Sequence, residues 1–301
     1  MTRMSTIKIP VLKLNNGVEM PALGLGVYQS PPEQTVEAVK TALEFGYRLV
    51  DTAAAYFNEL QVGEGIRQSG IDRSEVFITT KLWISDYGFD QTLHAFDRSM
   101  RNLGLDYLDL YLLHWPVPKQ FDKTVESWKA AETLLKEKRV RAIGICNAGP
   151  KHLDDLIART DVAPAVNQVE LSPFFSQPDL RAVHQRLGII TQAWSPIGGV
   201  NRYWTKSDGP GDPLRNPVIT DIAQRHAKTP AQIILRWHIE LGNSAIPKSV
   251  QPERIRENAD IFNFSLDEAE VSAINSLDTG RRGGPDPELV DSQLFDIKIP
   301  D

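Results

Sequence analysis

The chain is short of cysteine, with one, Cys146, in 301 residues. A single thiol excludes an intramolecular disulfide and any cysteine-based metal cluster, so redox chemistry by thiol–disulfide cycling is ruled out. Long apolar runs are also missing: none approaches the roughly 18 residues of a spanning helix. The N-terminus MTRMSTIKIP lacks the apolar stretch and small-residue cleavage site of a secretory signal. A cytoplasmic protein with no membrane partner is expected. Positive charge is in deficit, with 33 Lys and Arg against 39 Asp and Glu and a formal net charge of −6. That argues against nucleic acid as a partner, because affinity for a phosphate backbone comes from clustered Lys and Arg. Anionic small molecules stay open wherever basic residues gather locally.

Hydrophobic residues make up 41% of the chain, enough to bury a large core in one big α/β domain or two ordinary ones. After a hairpin signal at Asn15–Asn16–Gly17, short β-branched or aliphatic runs alternate with longer patterns of apolar residues at three- and four-residue spacing. Strands are expected at Leu23–Val27, Arg48–Asp51, Val76–Lys81, Leu108–His114, Arg141–Ile145, Ala165–Glu170, Ile189–Trp194 and Ser244–Pro247. Helices are expected at Pro32–Phe45, Glu59–Ser69, Asp90–Leu103, Phe121–Glu137, Lys151–Arg159, Gln177–Leu187, Val218–Leu241 and Pro252–Ile261. Such alternation means a parallel sheet. A doubly wound sheet uses the same pattern, but eight consecutive units with no composition break favour a single closed (β/α)8 barrel, a TIM barrel, over residues 1–301. Gly198–Pro217 and the tail Thr279–Asp301 are poor in regular structure, and loops of that length are lids or tolerated surface. In a barrel the first would lie over the C-terminal mouth.

Polar groups that end apolar strands are expensive to bury without partners or a task. Asp51 closes RLVD, Lys81 closes EVFITTK, His114 closes LDLYLLH, and Tyr56 stands five residues beyond Asp51 across a run of alanines. Singly, an aspartate there caps a helix and a histidine there is a satisfied core group. Together they bring one acid, one ammonium, one imidazole and one phenol to the face where barrel enzymes place their chemistry. An ammonium close to a phenol favours the phenolate, so Lys81 is expected to bring Tyr56 proton transfer nearer working pH, with Asp51 holding the ammonium and a neutral His114 bonding a carbonyl oxygen. This set suits protonation of an oxygen that gains charge from a delivered hydride. A metal-assisted hydrolase is poorly supported, because His94, His152, His184, His226 and His238 show no ligand spacing; no metal site is expected.

At these residues the sequence resembles the aldo-keto reductase superfamily over nearly its whole length. The matching blocks are GYRLVDTAAAYFNELQVGEGI from Gly46, ITTKLW from Ile78, LGLDYLDLYLLHWP from Leu103, VNQVELSP from Val166 and IPKSVQPERIRENADIF from Ile246. TPAQIILRWH at Thr229–His238 and Trp194 before SPIGG look most like the bacterial 2,5-diketo-D-gluconate reductase group. The resemblance implies a barrel capped at its base by the N-terminal hairpin, a catalytic tetrad of Asp51, Tyr56, Lys81 and His114, and a small-molecule carbonyl substrate. Tyr56 would be the general acid. The alternative is a cofactor-binding regulatory or structural member of the fold without turnover. A monomer is expected.

No dinucleotide fingerprint of the G-x-G-x-x-G kind is present: Gly24-Leu25-Gly26 and Gly63-Glu64-Gly65 both lack the third glycine, and they read as backbone devices. By resemblance, an extended nicotinamide dinucleotide lies across the mouth. Asn147 and Gln168 would then bond the carboxamide, Trp194 would stack on the nicotinamide, and Ser195, Ile197 and Gly198 would meet the pyrophosphate. Lys248, Ser249, Val250 and Arg254 would receive a ribose 2′-phosphate at the start of the last helix, so NADPH is preferred over NADH. Glu257 and Asn258 match positions that approach adenine. The chain departs from the family at Cys146, commonly serine, and at Ser172, commonly histidine, and no role carries over to either. Tyr28, Trp83 and Trp115 would wall a mostly apolar substrate pocket for aldehydes and ketones, including dicarbonyls or keto-sugars.

Overall fold

The computed structural model describes residues 7–199, 211–291 and 294–300. The foreseen hairpin is β1 (Val11–Lys13) antiparallel to β2 (Glu19–Pro21). Strands and helices then alternate. The strands are β3 (Leu25–Gly26), β4 (Leu49–Asp51), β5 (Phe77–Leu82), β6 (Leu108–Leu113), β7 (Val140–Cys146), β8 (Val166–Glu170), β9 (Ile190–Trp194) and β10 (Ser244–Ala245). The helices among the described residues are α1 (Pro32–Phe45), α2 (Glu59–Ser69), α3 (Phe89–Leu103), α4 (Phe121–Lys136), α5 (Pro150–Ala158), α6 (Pro178–Leu187), α7 (Pro217–His226), α8 (Pro230–Glu240), α9 (Pro252–Ala259) and α10 (Glu268–Asn275). None is long and apolar enough to cross a membrane.

Strands β3 to β10 form one parallel sheet in chain order. Its first and last strands are linked as well. The Gly24 N–H donates to the Ala245 carbonyl at 2.9 Å and the Gly26 N–H to Pro247 at 3.1 Å, while the Ala245 N–H returns to Ala22 at 2.9 Å. Side chains along the strands separate by parity, as the two-residue period of a strand requires. Leu49, Phe77, Leu110, Leu112, Val166 and Ile246 join one buried cluster with the hairpin residues Leu14 and Met20. Their neighbours Val50, Ile78, Tyr111, Leu113, Ile143 and Val169 join a second cluster with the helices.

The hairpin sits at one end of the sheet. Asn15 donates through Nδ2 to the Pro164 carbonyl at 3.0 Å and Asn16 to the Arg141 carbonyl at 2.9 Å, both at the N-terminal ends of strands. That leaves the C-terminal ends, where Asp51, Lys81 and His114 lie, for chemistry.

Two helical expectations change. The single helix expected over Val218–Leu241 is instead α7 and α8, separated where Ala227 takes a left-handed φ of 52°. Thr229 then caps α8 in a reciprocal box with Gln232, and Pro230, which has no N–H to give, occupies the first turn where none is needed. Helix α10 was not foreseen, although Asp267 caps it and Glu270 closes a capping box, a D-x-x-E signal present in the sequence. Residues 200–210, most of the first segment expected to be irregular, lie outside the described residues. The tail from Thr279 carries no helix or strand among its described residues.

Both glycine pairs are explained by close packing. A Cβ on Gly24 would stand 1.7 Å from Leu49 Cδ2, and one on Gly63 would stand 2.1 Å from the Leu103 carbonyl oxygen, where α2 meets α3. The Leu103 obstacle is backbone, which cannot swing aside. We expect Gly63→Ala to lower stability by about 1–3 kcal/mol with an unchanged denaturant slope in guanidinium unfolding; an unchanged midpoint would contradict the close approach.

Candidate active site

The site grows from the C-terminal ends of β4, β5 and β6. Asp51 is the last residue of β4, and the chain then passes through Thr52 and Ala53 into a single 3-10 turn, Ala54–Tyr56. Ala53 and Ala54 are both buried, so the spacer's small side chains let that turn fold back over the strand ends. Lys81 lies next to last in β5, with no exposed surface.

The Lys81 ammonium has three hydrogens and three acceptors. Nζ donates to Asp51 Oδ1 at 2.6 Å, to the Thr52 carbonyl at 2.9 Å and to Tyr56 Oη at 3.1 Å. Because an ammonium only donates, Oη must accept, and the phenolic hydrogen stays available for another partner. The Tyr56 ring lies edge-on to His114, centroids 5.7 Å apart, and to Tyr28 at 5.0 Å.

Burial pushes the Lys81 ammonium down, but Asp51 and Tyr56 more than offset this and its pKa ends above the ordinary amine value. Burial raises the Asp51 carboxyl, opposed by Lys81 and Gln168. Burial also raises the Tyr56 phenol, and Lys81 brings it only part of the way back. This corrects the expectation that Lys81 lowers Tyr56 toward working pH: in the protein alone desolvation wins, and Tyr56 holds its proton. His114 is driven well below its usual value by burial and by the nearby Lys81 charge, which keeps the imidazole neutral. Its Nδ1 is buried and meets no partner among the described residues.

Around this group the structure gathers several of the residues named for a cofactor. Gln168 donates through Nε2 to Asp51 Oδ2 at 2.7 Å and to Gln192 Oε1 at 2.8 Å. Asn147, at a left-handed φ of 60°, donates to the His114 carbonyl at 3.2 Å and accepts from Trp194 Nε1 at 2.8 Å. Trp194 and Asn147 are thus joined at the mouth. Ser195 begins a tight turn that the Gly198 N–H closes on the Ser195 carbonyl at 2.9 Å, and Ile197 packs on the core. Farther off, Ser249 accepts from the Gln251 N–H at 3.1 Å just before α9, and Val250 packs on the core beside it. Lys248 and Arg254 are exposed and pair with no carboxylate among the described residues. Glu257 already accepts from the Thr229 hydroxyl at 2.6 Å, and Asn258 is buried. Cys146 is buried in the inner cluster and its thiol pushed up by burial, while Ser172 lies in a short bridge with Phe175.

The aromatic wall is larger than the sequence suggested. Trp83 packs edge-on to His114 at 5.1 Å and Trp115 stacks beside His114 at 6.4 Å. Phe295, from the tail, sits 5.6 Å from Trp83 and 5.7 Å from Trp115. The Trp83 indole N–H donates to the Ile297 carbonyl at 2.9 Å, and Glu170 accepts the N–H groups of Gly283 and Gly284 at 2.7 and 2.9 Å. Sequence reasoning does not single out Phe295 or Gln192, which the structure brings to the site. Alternation in LFDIKIP and a lone amide in the apolar run IITQAW were the available signals.

Known proteins resemble this chain over most of its length. The model of the Aldo/keto reductase family matches residues 21–279. The chain is 55% identical over 295 residues to a morphine 6-dehydrogenase of Pseudomonas putida, covering 96% of this chain and 98% of that protein. It is 46% identical over 280 residues to the methylglyoxal reductase DkgA of Escherichia coli (strain K12), covering 92% and 97%. A crystal structure of a Gox0644 mutant in complex with NADPH superposes with a TM-score of 0.86 at 43% identity, covering 94% of this chain and 99% of the other.

We expect Asp51→Asn to cost about 3–5 kcal/mol of stability at neutral pH, because it leaves a buried ammonium without the one carboxylate it meets among the described residues. An unchanged guanidinium midpoint would show that the pair does not hold Lys81.

Proposed function

Since the chain belongs to the aldo/keto reductase family, we propose that it is an NADPH-dependent carbonyl reductase acting on aldehydes and ketones, dicarbonyls or keto-sugars among them. The observation that carries this reading is Lys81 Nζ bridging Asp51 and Tyr56, with the Tyr56 oxygen as acceptor and its hydrogen unspent among the described residues. In this reading residues 1–301 form one closed (β/α)8 barrel domain that works as a cytoplasmic monomer.

Bound NADPH would supply the hydride. The protein's part is the proton. Tyr56 keeps its hydrogen because burial disfavours the phenolate, and it gives that hydrogen to the substrate oxygen as negative charge grows there, an alkoxide being more basic than a phenolate. Lys81 then faces a phenolate at the same Oη it already contacts, and Asp51 keeps the ammonium charged and aimed. Neutral His114 orients the carbonyl oxygen by a hydrogen bond, and the Tyr28, Trp83, Trp115 and Phe295 rings exclude water. In alcohol oxidation the same groups run backwards, with Tyr56 as base.

The residues present fit the dinucleotide. Both Gln168 Nε2 hydrogens go to Asp51 and Gln192, which leaves Oε1 as the amide's remaining group for a ligand. Gln168 with Asn147 would take the carboxamide, Trp194 the ring face, and the Ser195–Gly198 turn, with Ile197, the pyrophosphate. Lys248, Ser249, Val250 and Arg254 would hold the 2′-phosphate, with Glu257 and Asn258 toward adenine, giving NADPH preference over NADH.

Tyr56→Phe removes only the proton donor. It should lower kcat with methylglyoxal by about 10²–10⁴-fold while NADPH affinity by fluorescence titration stays near wild type; a wild-type rate would sink the assigned role. Arg254→Ala should weaken NADPH about 10–100-fold and leave NADH nearly unchanged. Equal losses for both would mean that the 2′-phosphate is not read there.

A further inference from the structure

A file of buried polar groups runs down the inside of the sheet, and its sense is set from the active-site end. Ionised Asp51 accepts only, so the Gln168 amide that meets Oδ2 at 2.7 Å must present Nε2 to it. The second Nε2 hydrogen goes to Gln192 Oε1 at 2.8 Å. That orients Gln192 in turn, whose Nε2 donates to Ser244 Oγ at 3.1 Å, and Ser244 passes its hydrogen on toward the Pro21 carbonyl at 3.4 Å. Exposure is 2% for Asp51 and Gln168 and 0% for Gln192 and Ser244, so no water competes for these bonds. Each link is strand-to-strand: β4 to β8, β8 to β9, β9 to β10, and β10 to the hairpin.

Neither Gln192 nor Ser244 belongs to the tetrad or to the residues assigned to the dinucleotide. Their side chains still decide what Gln168 can offer. With both hydrogens committed, Gln168 keeps only Oε1, an acceptor, for a ligand. Without an acceptor at position 192, one Gln168 hydrogen is orphaned in the core and nothing opposes a swing of the amide about Asp51.

We infer that Gln192 and Ser244 are positioning residues for cofactor selection: they lock Gln168 with its Oε1 as the sole outward group, so that the site selects a nicotinamide that carries a carboxamide NH2 donor. This rests on the NADPH reading above. A merely structural pair would alter stability and affect all ligands alike, whereas a positioning pair alters recognition of one half of the dinucleotide.

The test uses the full chain and three probes read by tryptophan fluorescence: NADP+, its 3-acetylpyridine analogue, in which a methyl replaces the NH2, and 2′,5′-ADP, which lacks the nicotinamide half. Wild type should prefer NADP+ over the analogue by about tenfold, the worth of one such hydrogen bond. Gln192→Leu should narrow this to within about twofold and leave 2′,5′-ADP binding unchanged. Ser244→Ala, which deletes one buried atom, reads the same link should the first variant not fold. Gln192→Glu should restore the preference, because a carboxyl with no exposed surface, set between Gln168 and Ser244, is held protonated and supplies both an acceptor and an O–H donor. A tenfold preference kept in Gln192→Leu and Ser244→Ala, or an equal loss for 2′,5′-ADP, overturns the positioning role alone. Wild type that binds neither NADP+ nor 2′,5′-ADP overturns the cofactor reading and this inference with it.

Discussion

The contact between Lys81 and Asp51 is the constraint on which the site depends. Removing either charge from water costs several kcal/mol, and mutual attraction offsets this only when the remaining donors and acceptors are met. Here they are. The ammonium's three hydrogens find Asp51, Thr52 and Tyr56, and the second Asp51 oxygen takes a hydrogen from Gln168. Satisfying the lysine therefore dictates where the Tyr56 oxygen stands, and satisfying the aspartate dictates how Gln168 is turned. The phenol and the amide proposed to meet substrate and cofactor are held by one buried charge pair.

The alternation of strand side chains places that pair. Leu49 and Phe77 belong to the inner apolar cluster, and counting by twos along the same strands leads to Asp51 and Lys81. Val166 leads likewise to Gln168, and Ile190 to Gln192. On each of these strands the aliphatic residue lies nearer the hairpin than the polar one, while Gln192 and Ser244 carry the polar file back to the hairpin at Pro21. The apolar end excludes water from below, which strengthens the electrostatics above it.

The tail is held at the site by hydrogen bonds and ring contacts rather than by secondary structure. Thr279 donates from both its N–H and its hydroxyl to the Phe174 carbonyl, at 3.0 and 2.9 Å, and Glu170 receives Gly283 and Gly284. These bonds fix an irregular segment at the end of β8. Farther along, Phe295 reaches the two tryptophans. Burial raises the Glu170 carboxyl and the two backbone N–H groups oppose it, so this tether has the same logic as the active-site pair.

Much of this was legible in the sequence, for reasons local to the chain. Helices α1 and α2 have the expected limits, and the polar endings of RLVD, EVFITTK and LDLYLLH are three of the four side chains gathered at the site, Asp51, Lys81 and His114, with Tyr56 the fourth. The break between α7 and α8 was carried by Thr229 and Pro230 but masked by the apolar periodicity that runs through it. Periodicity and capping depend on neighbours three or four residues apart, so sequence alone determined the alternation, the inner faces of the strands and the residue types at their ends. Tertiary structure decided the rest: that Lys81 uses up its hydrogens and leaves the Tyr56 proton unspent, that burial outweighs Lys81 in setting the Tyr56 acidity, that Gln168 is turned by Gln192, and that Phe295 closes the aromatic wall. Those outcomes depend on register between strands and on the path of the tail, which bring together residues from 24 to over 200 positions apart, and no local pattern encodes such distances.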